Sequence, residues 1–119
     1  MRENPIAFDT VLDLCGDEHR RIILALLATE RRSVTVKDLR NTILKHNHDT
    51  PVTDASEEVL TEIQSTLSHR HIPKLESAGV IEYDSERKLV KPTEQFDQLQ
   101  PHLSAILDTD PNLDEPIEL

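Results

Sequence analysis

The sequence predicts a mainly helical α+β domain closed by one small β-hairpin. Three observations carry this: apolar residues recur at helical spacing in five segments, two short β-like runs flank a tight polar turn, and the chain has only two glycines. Its 119 residues suit one domain with a modest core, 1–107, followed by an acidic tail, 108–119, expected to be disordered. No apolar run approaches the roughly 20 residues that span a bilayer, and no charged-then-apolar leader pattern opens the chain. One cysteine, Cys15, supplies neither a disulfide framework nor a thiol pair for metal. The expectation is a cytoplasmic protein without a membrane partner.

The elements follow in order. Asn4-Pro5 signals a helix start; Phe8, Val11, Leu12 and Cys15 then share one face, and Gly16 stops the run. Asp17 caps a second helix with a broad stripe of Ile22, Ile23, Leu26 and Leu27, its Arg20 and Arg21 expected on the polar side. Ser33-Val34-Thr35 is β-like, and Thr35 with Asp38 resembles a capping box for a third helix carrying Val36, Leu39, Ile43 and Leu44. A polar loop over 46–55 precedes Ser56, which opens the longest helical pattern: Val59, Leu60, Ile63, Leu67, Ile72, Leu75 and Ala78, ended by Gly79. Pro73 inside it predicts a kink or break near His69 to Ile72. Two strand-like runs, Val80-Ile81-Glu82-Tyr83-Asp84 and Lys88-Leu89-Val90-Lys91, are joined by Ser85-Glu86-Arg87 as a hairpin. Thr93 then caps a last helix carrying Phe96, Leu99, Leu103, Ile106 and Leu107, with Pro101 as a possible kink site.

Charge bears directly on the partner. The formal net charge of −10 argues at first against nucleic acid, because phosphate attraction dominates such binding. Yet residues 1–16 carry −2 and residues 93–119 carry −7, with no base in the latter. Residues 17–45 carry +3, 46–59 carry −4, and 60–92 are neutral. The excess acid therefore lies at the two ends and in one loop. Eight arginines against five lysines on an acidic surface fit a high-salt cytoplasm; the plainer reading is self-repulsion that keeps an acidic protein dispersed.

The stretch Ser68-His69-Arg70-His71-Ile72-Pro73-Lys74-Leu75-Glu76-Ser77-Ala78-Gly79-Val80-Ile81 resembles the recognition helix and wing entry of winged helix-turn-helix transcriptional regulators. Ile72, Leu75 and Ala78 would seat the helix, Gly79 turn the chain, and Val80-Ile81 open the wing. Over residues 8–92 the chain also resembles a small winged-helix family of unknown function common in halophilic archaea. The stretches that carry this are Leu12-Asp13-Leu14 through Arg20-Arg21-Ile22, Ser33-Val34-Thr35-Val36-Lys37-Asp38-Leu39, and His71-Ile72-Pro73-Lys74-Leu75 through Tyr83-Asp84.

This resemblance implies double-stranded DNA as partner. Gln64, Ser65, Ser68, His69, Arg70 and Lys74 would then lie on the reading helix, Arg70 foremost because a guanidinium pairs bidentately with guanine. Arg87, Lys88 and Lys91 on the wing, with Lys37 and Arg40 on the preceding helix, would hold phosphate. The plainer alternative for each is a solvated surface charge. Glu57, Glu58 and Glu62 at the start of the long helix count against a phosphate-facing end, although they suit the helix dipole. A homodimer is expected through Phe8, Val11, Leu12, Phe96, Leu99, Leu103 and Ile106, which otherwise close the core. The same surface would serve a protein-interaction module that binds no DNA.

Catalysis and cofactors are not expected. His46-Asn47-His48 lies in a loop, and the i, i+2 pair His69 and His71 points to different helix faces. Neither set has a cysteine pair beside it, no Gly-rich phosphate loop exists, and no nucleophile–His–acid motif occurs. His71 is expected near the core and His69 in solvent.

Overall fold

The computed structural model describes residues 6–47, 52–113 and 116–119. Among the described residues, six α-helices and three strands run in the order α1 (Phe8–Cys15), α2 (Glu18–Glu30), β1 (Val34–Thr35), α3 (Val36–Asn47), α4 (Glu57–Thr66), α5 (Ile72–Ser77), β2 (Ile81–Asp84), β3 (Leu89–Pro92) and α6 (Glu94–Thr109). The fold is mainly α with a small antiparallel sheet, as the periodicities predict.

Helix α2 is the hub. Ile22, Ile23, Leu24, Leu26 and Leu27 have no solvent exposure, because α1, α3 and α6 pack around it. The predicted stripe is thus nearly a full cylinder, with Leu24 and Ala25 also buried. Asp17 starts this helix by accepting the amides of His19 (2.8 Å) and Arg20 (3.2 Å). It ends at Arg31, which takes the left-handed conformation (φ 54°) that usually falls to glycine. At α3 the capping box is reciprocal: the Asp38 amide donates to Thr35 Oγ1 at 2.9 Å, and the Thr35 amide to Asp38 Oδ2 at 3.2 Å. Ser56 caps α4 through the Val59 amide.

Between α4 and α5 the chain stays helical but widens into a π turn over Leu67–His71, where the Ile72 amide reaches back to the Leu67 carbonyl. Pro73 has no amide to donate, so the expected break becomes a wide turn just before it. Gly79 (φ 81°) then reverses the chain, its amide donating to Glu76 O. The hairpin registers Ile81 with Pro92 and Asp84 with Leu89. β1 joins its other side, Val34 opposite Val90, to make a three-stranded sheet in the order β1-β3-β2.

Several expectations need correction. The Asn4-Pro5 start lies outside the described residues, and α1 begins after Ala7 without a side-chain cap. Gly16 does end α1, though in a right-handed conformation (φ −76°), and its lack of a side chain admits the Leu12 carbonyl, which would stand 3.1 Å from a Cβ. Thr93 does not cap α6, because its hydroxyl donates to Gly79 O at 2.6 Å and so ties α6 to the end of the long helix. Helix α6 runs on through Pro101.

The C-terminal stretch also departs from a disordered tail. Helix α6 reaches Thr109, and beyond it Leu113 and Ile117 are buried in the core. Asp110 accepts from Arg21 at 2.8 Å, and the Leu119 amide donates to Glu30 at 3.0 Å. Acidic composition concealed two apolar anchors spaced to reach one groove beside α2 and α6.

The dimer surface is corrected in the same way. Val11, Phe96, Leu99 and Leu103 are each at most 3% exposed and pack inside the domain. They have no surface to give a partner. Of the seven, Phe8 and Leu12 remain exposed, and Ile106 is half-buried.

Candidate nucleic-acid interface

Helix α4, the π turn and α5 form one helical run over residues 57–77, laid across α3. A cleft between α3 and this run is lined by Arg40, Leu60, Thr61, Gln64, Ser65, Ser68 and His69. Five of the predicted residues (Arg40, Gln64, Ser65, Ser68 and His69) therefore converge on one surface. Leu67 and His71 point the opposite way, into the core, which leaves Ser68, His69 and Arg70 exposed on the π turn. Around the α4 flank the character changes: Glu57, Glu58 and Glu62 line a shallow acidic depression.

Arg40 organises the cleft. Its Nε and Nη2 donate to Asn41 Oδ1 at 3.1 and 3.0 Å, and Nη1 donates to Gln64 Oε1 at 3.3 Å. Lys37, earlier on the same helix, is exposed.

Arg70 and Lys74 lie elsewhere. Arg70 Nη2 is 3.8 Å from Asp17 Oδ2, and Lys74 Nζ is 2.8 Å from Asp13 Oδ2, so both reach toward the α1–α2 corner. The hydrogen bond from Lys74 holds the Asp13 carboxyl below its ordinary range. On the hairpin, Arg87 pairs loosely with Asp84 (3.8 Å), Lys91 stands opposite Glu82, and Lys88 takes a left-handed turn position. The Lys88 carbonyl accepts the Val36 amide, which fixes the hairpin turn against the start of α3. The three hairpin cations are exposed but do not line the α3–α4 cleft.

Beneath the long helix lies a buried polar junction that sequence periodicity missed. Arg20, expected on a polar face, is only 5% exposed. Its Nε donates to Leu14 O (2.9 Å) and Nη2 to Asp13 O (3.0 Å), while Arg21 Nη1 donates to Cys15 O (2.8 Å). Together the two guanidinium groups satisfy the open carbonyls at the C-terminus of α1 and complement its dipole. Arg20 Nη1 also lies 3.3 Å from Nδ1 of His71, whose ring packs edge-on against His19. A guanidinium can only donate, so Nδ1 is the acceptor and the neutral His71 proton sits on Nε2, 3.8 Å from Asp17 Oδ1. The only sequence cue was Arg20 falling two residues before the apolar stripe; nothing local showed which carbonyls it would meet.

This junction makes stability depend on pH. Burial, helped by the nearby Arg20 charge, pushes the His71 imidazole down to about 4, although Asp17 pulls it upward. The folded state thus keeps His71 neutral, while the unfolded chain takes up a proton near the ordinary value of 6.5. Its contribution is complete above that value and is lost as pH falls toward about 4. The loss should approach about 3 kcal/mol across this window. Asp17 adds its own loss lower down: burial raises its carboxyl, but the Arg20 and His19 amides and the adjacent cations outweigh this and hold it below 3.8. Urea unfolding midpoints followed through the window check the expectation. A His71→Gln variant should show a much flatter dependence, and equal slopes for the two proteins would refute the assignment.

Cys15 is buried, which pushes its thiol up and away from reactive thiolate. Among the described residues, no group of three or more His, Cys, Asp or Glu side chains is placed to hold a metal ion. No helix among them is long and apolar enough to cross a membrane.

Together these features define a helix-rich α+β domain whose longest helical run, crossed by α3 and followed by a β-hairpin, presents a polar cleft. The chain belongs to the family described as Domain of unknown function (DUF7344), whose model matches residues 12–91. The matched stretch runs from α1 to β3 and takes in the cleft, the buried junction and the hairpin. No curated protein and no solved structure matches the chain.

Proposed function

We propose that this protein is a winged helix-turn-helix regulator of transcription that binds duplex DNA in a high-salt cytoplasm. In this reading α3 and the 57–77 helical run are the helix-turn-helix, and β2–β3 is the wing. The observation that carries it is the convergence of Arg40, Gln64, Ser65, Ser68 and His69 on a cleft whose lining has no carboxylate. Those side chains offer hydrogen bonds to base edges, and Lys37, Arg87, Lys88 and Lys91 are exposed for phosphate. Arg70 and Lys74 are held at the α1–α2 corner by partly exposed ion pairs with Asp17 and Asp13, which high salt weakens.

The absence of a positive surplus over residues 60–92 suits that medium. Counterion release adds little affinity when salt is already high, so hydrogen bonding and shape carry more of the binding. Fluorescence anisotropy with genomic duplex fragments at molar KCl tests the proposal. Saturable binding is expected, weakened about tenfold by Ser68→Ala combined with His69→Ala, a loss typical of one or two base contacts. Binding no stronger than that of a charge-matched acidic control protein would sink it.

A second reading keeps the fold but makes it a protein-interaction module. What favours it is the exposure of Phe8 (59%) and Leu12 (50%) on α1, which packs against α6, the helix that carries half-buried Ile106. A two-fold homodimer through this smaller patch reconciles both readings, since paired half-sites need paired reading helices.

A further inference from the structure

We propose that Gln64 reads guanine in the major groove and that Arg40 sets this preference by claiming the oxygen of the Gln64 amide; the inference rests on the DNA-binding reading above. A guanidinium carries five N–H donors and no acceptor. Two nitrogens of Arg40 grip the single oxygen of Asn41, at 3.1 and 3.0 Å, which fixes the plane of the group. The third, Nη1, then lies 3.3 Å from Gln64. Because Arg40 can only donate, the end of the amide turned toward it must be the carbonyl Oε1. The NH2 end is what Gln64 shows to the cleft.

This changes what the glutamine recognises. A free glutamine offers one donor and one acceptor side by side and suits adenine, which shows N7 as acceptor and N6–H as donor. With its oxygen turned to Arg40, Gln64 shows the cleft the two donors of its NH2 group, next to the remaining N–H of Arg40 Nη1. Guanine is the base that shows two adjacent acceptors, N7 and O6, in the major groove. Cytosine, which presents a donor, would need a strong acceptor, and no carboxylate lines this cleft. Gln64 is exposed, so changing it leaves the core untouched.

Selection from a randomised duplex pool at molar KCl provides the test. The wild-type protein should enrich duplexes with guanine at one position of the site. Gln64→Ala should lose that preference and about tenfold in affinity for the guanine site, in line with the discrimination of a good bidentate contact. Arg40→Lys keeps the charge but cannot hold both Asn41 and Gln64, and should lose the same preference. Gln64→Glu, which presents an acceptor, should switch the position to cytosine. In the wild-type protein, 7-deazaguanine at that position, which lacks N7 but keeps O6, should weaken binding by part of what the Gln64→Ala change costs, with no further loss when the two are combined. Enrichment in which Gln64 variants alter no position, or alter an adenine, overturns this inference and leaves DNA binding standing. Failure of the wild-type protein to enrich any duplex overturns both.

Discussion

Replacing Leu99 by aspartate is expected to unfold the domain and not to split a dimer. Leu99 has no solvent exposure and sits on the face of α6 that packs against α1 and α2. A carboxylate there meets no partner, and burying it costs more than about 4 kcal/mol, a large share of the stability of a domain this size. Leu99→Ala, which leaves only a cavity, should cost about 3 kcal/mol and stay folded. Circular dichroism with light scattering separates the outcomes. Loss of helical signal in the aspartate variant supports the core assignment; a folded variant at half the native mass would restore Leu99 to an interface.

Arg20→Ala is expected to cost about 3 kcal/mol, read as a lower urea midpoint near neutral pH. The change strands the Leu14 and Asp13 carbonyls and leaves His71 Nδ1 without its donor, all in a site that admits little water. Arg20→Lys should recover only part of the loss, because one ammonium cannot reach three acceptors in the geometry of a planar fork. Removing the guanidinium also removes one of the charges that hold His71 down, so the stability lost through His71 on acidification should become smaller, its lower limit rising from about 4 toward 6.5. A loss below about 1 kcal/mol would mean that water replaces the guanidinium at no cost and that the junction holds nothing together.

Much of the fold was legible because local rules agreed with the global answer. Asp17, the Thr35–Asp38 pair and Ser56 cap the helices they were expected to cap, since a cap depends only on the next few amides. Pro73 announced a disturbance, though not that the helix would widen into a π turn instead of breaking. The candidate cleft was half legible. Helical spacing placed Gln64, Ser65 and Ser68 on one exposed face, and the same spacing would have added Thr61. Leu60 looked like core and instead lines the cleft, half-buried, and Asn41 gave no sign that it would steer Arg40.

Side-chain destiny over long sequence distances was not legible. An apolar stripe on a terminal helix fits a dimer seam and a core equally well. Only the placement of α6 against α1 and α2 decided for the core in Phe96, Leu99 and Leu103. Seven acids and no base in the last segment read as solvent-exposed chain, yet Leu113 and Ile117 find a groove beside α2.

By itself, then, the sequence determined the order of helices and strands, the caps of α2, α3 and α4, the turn at Gly79, and the polar face of the long helix. Each of these follows from backbone geometry and hydrogen bonds among near neighbours. The tertiary structure alone decided that Arg20 and His71 meet in the interior, 51 residues apart, and that Arg70 and Lys74 reach to the corner acids while Arg40 steers Gln64. Those pairings depend on which surfaces the packed helices bring within hydrogen-bond reach, and no periodicity along the chain encodes that distance.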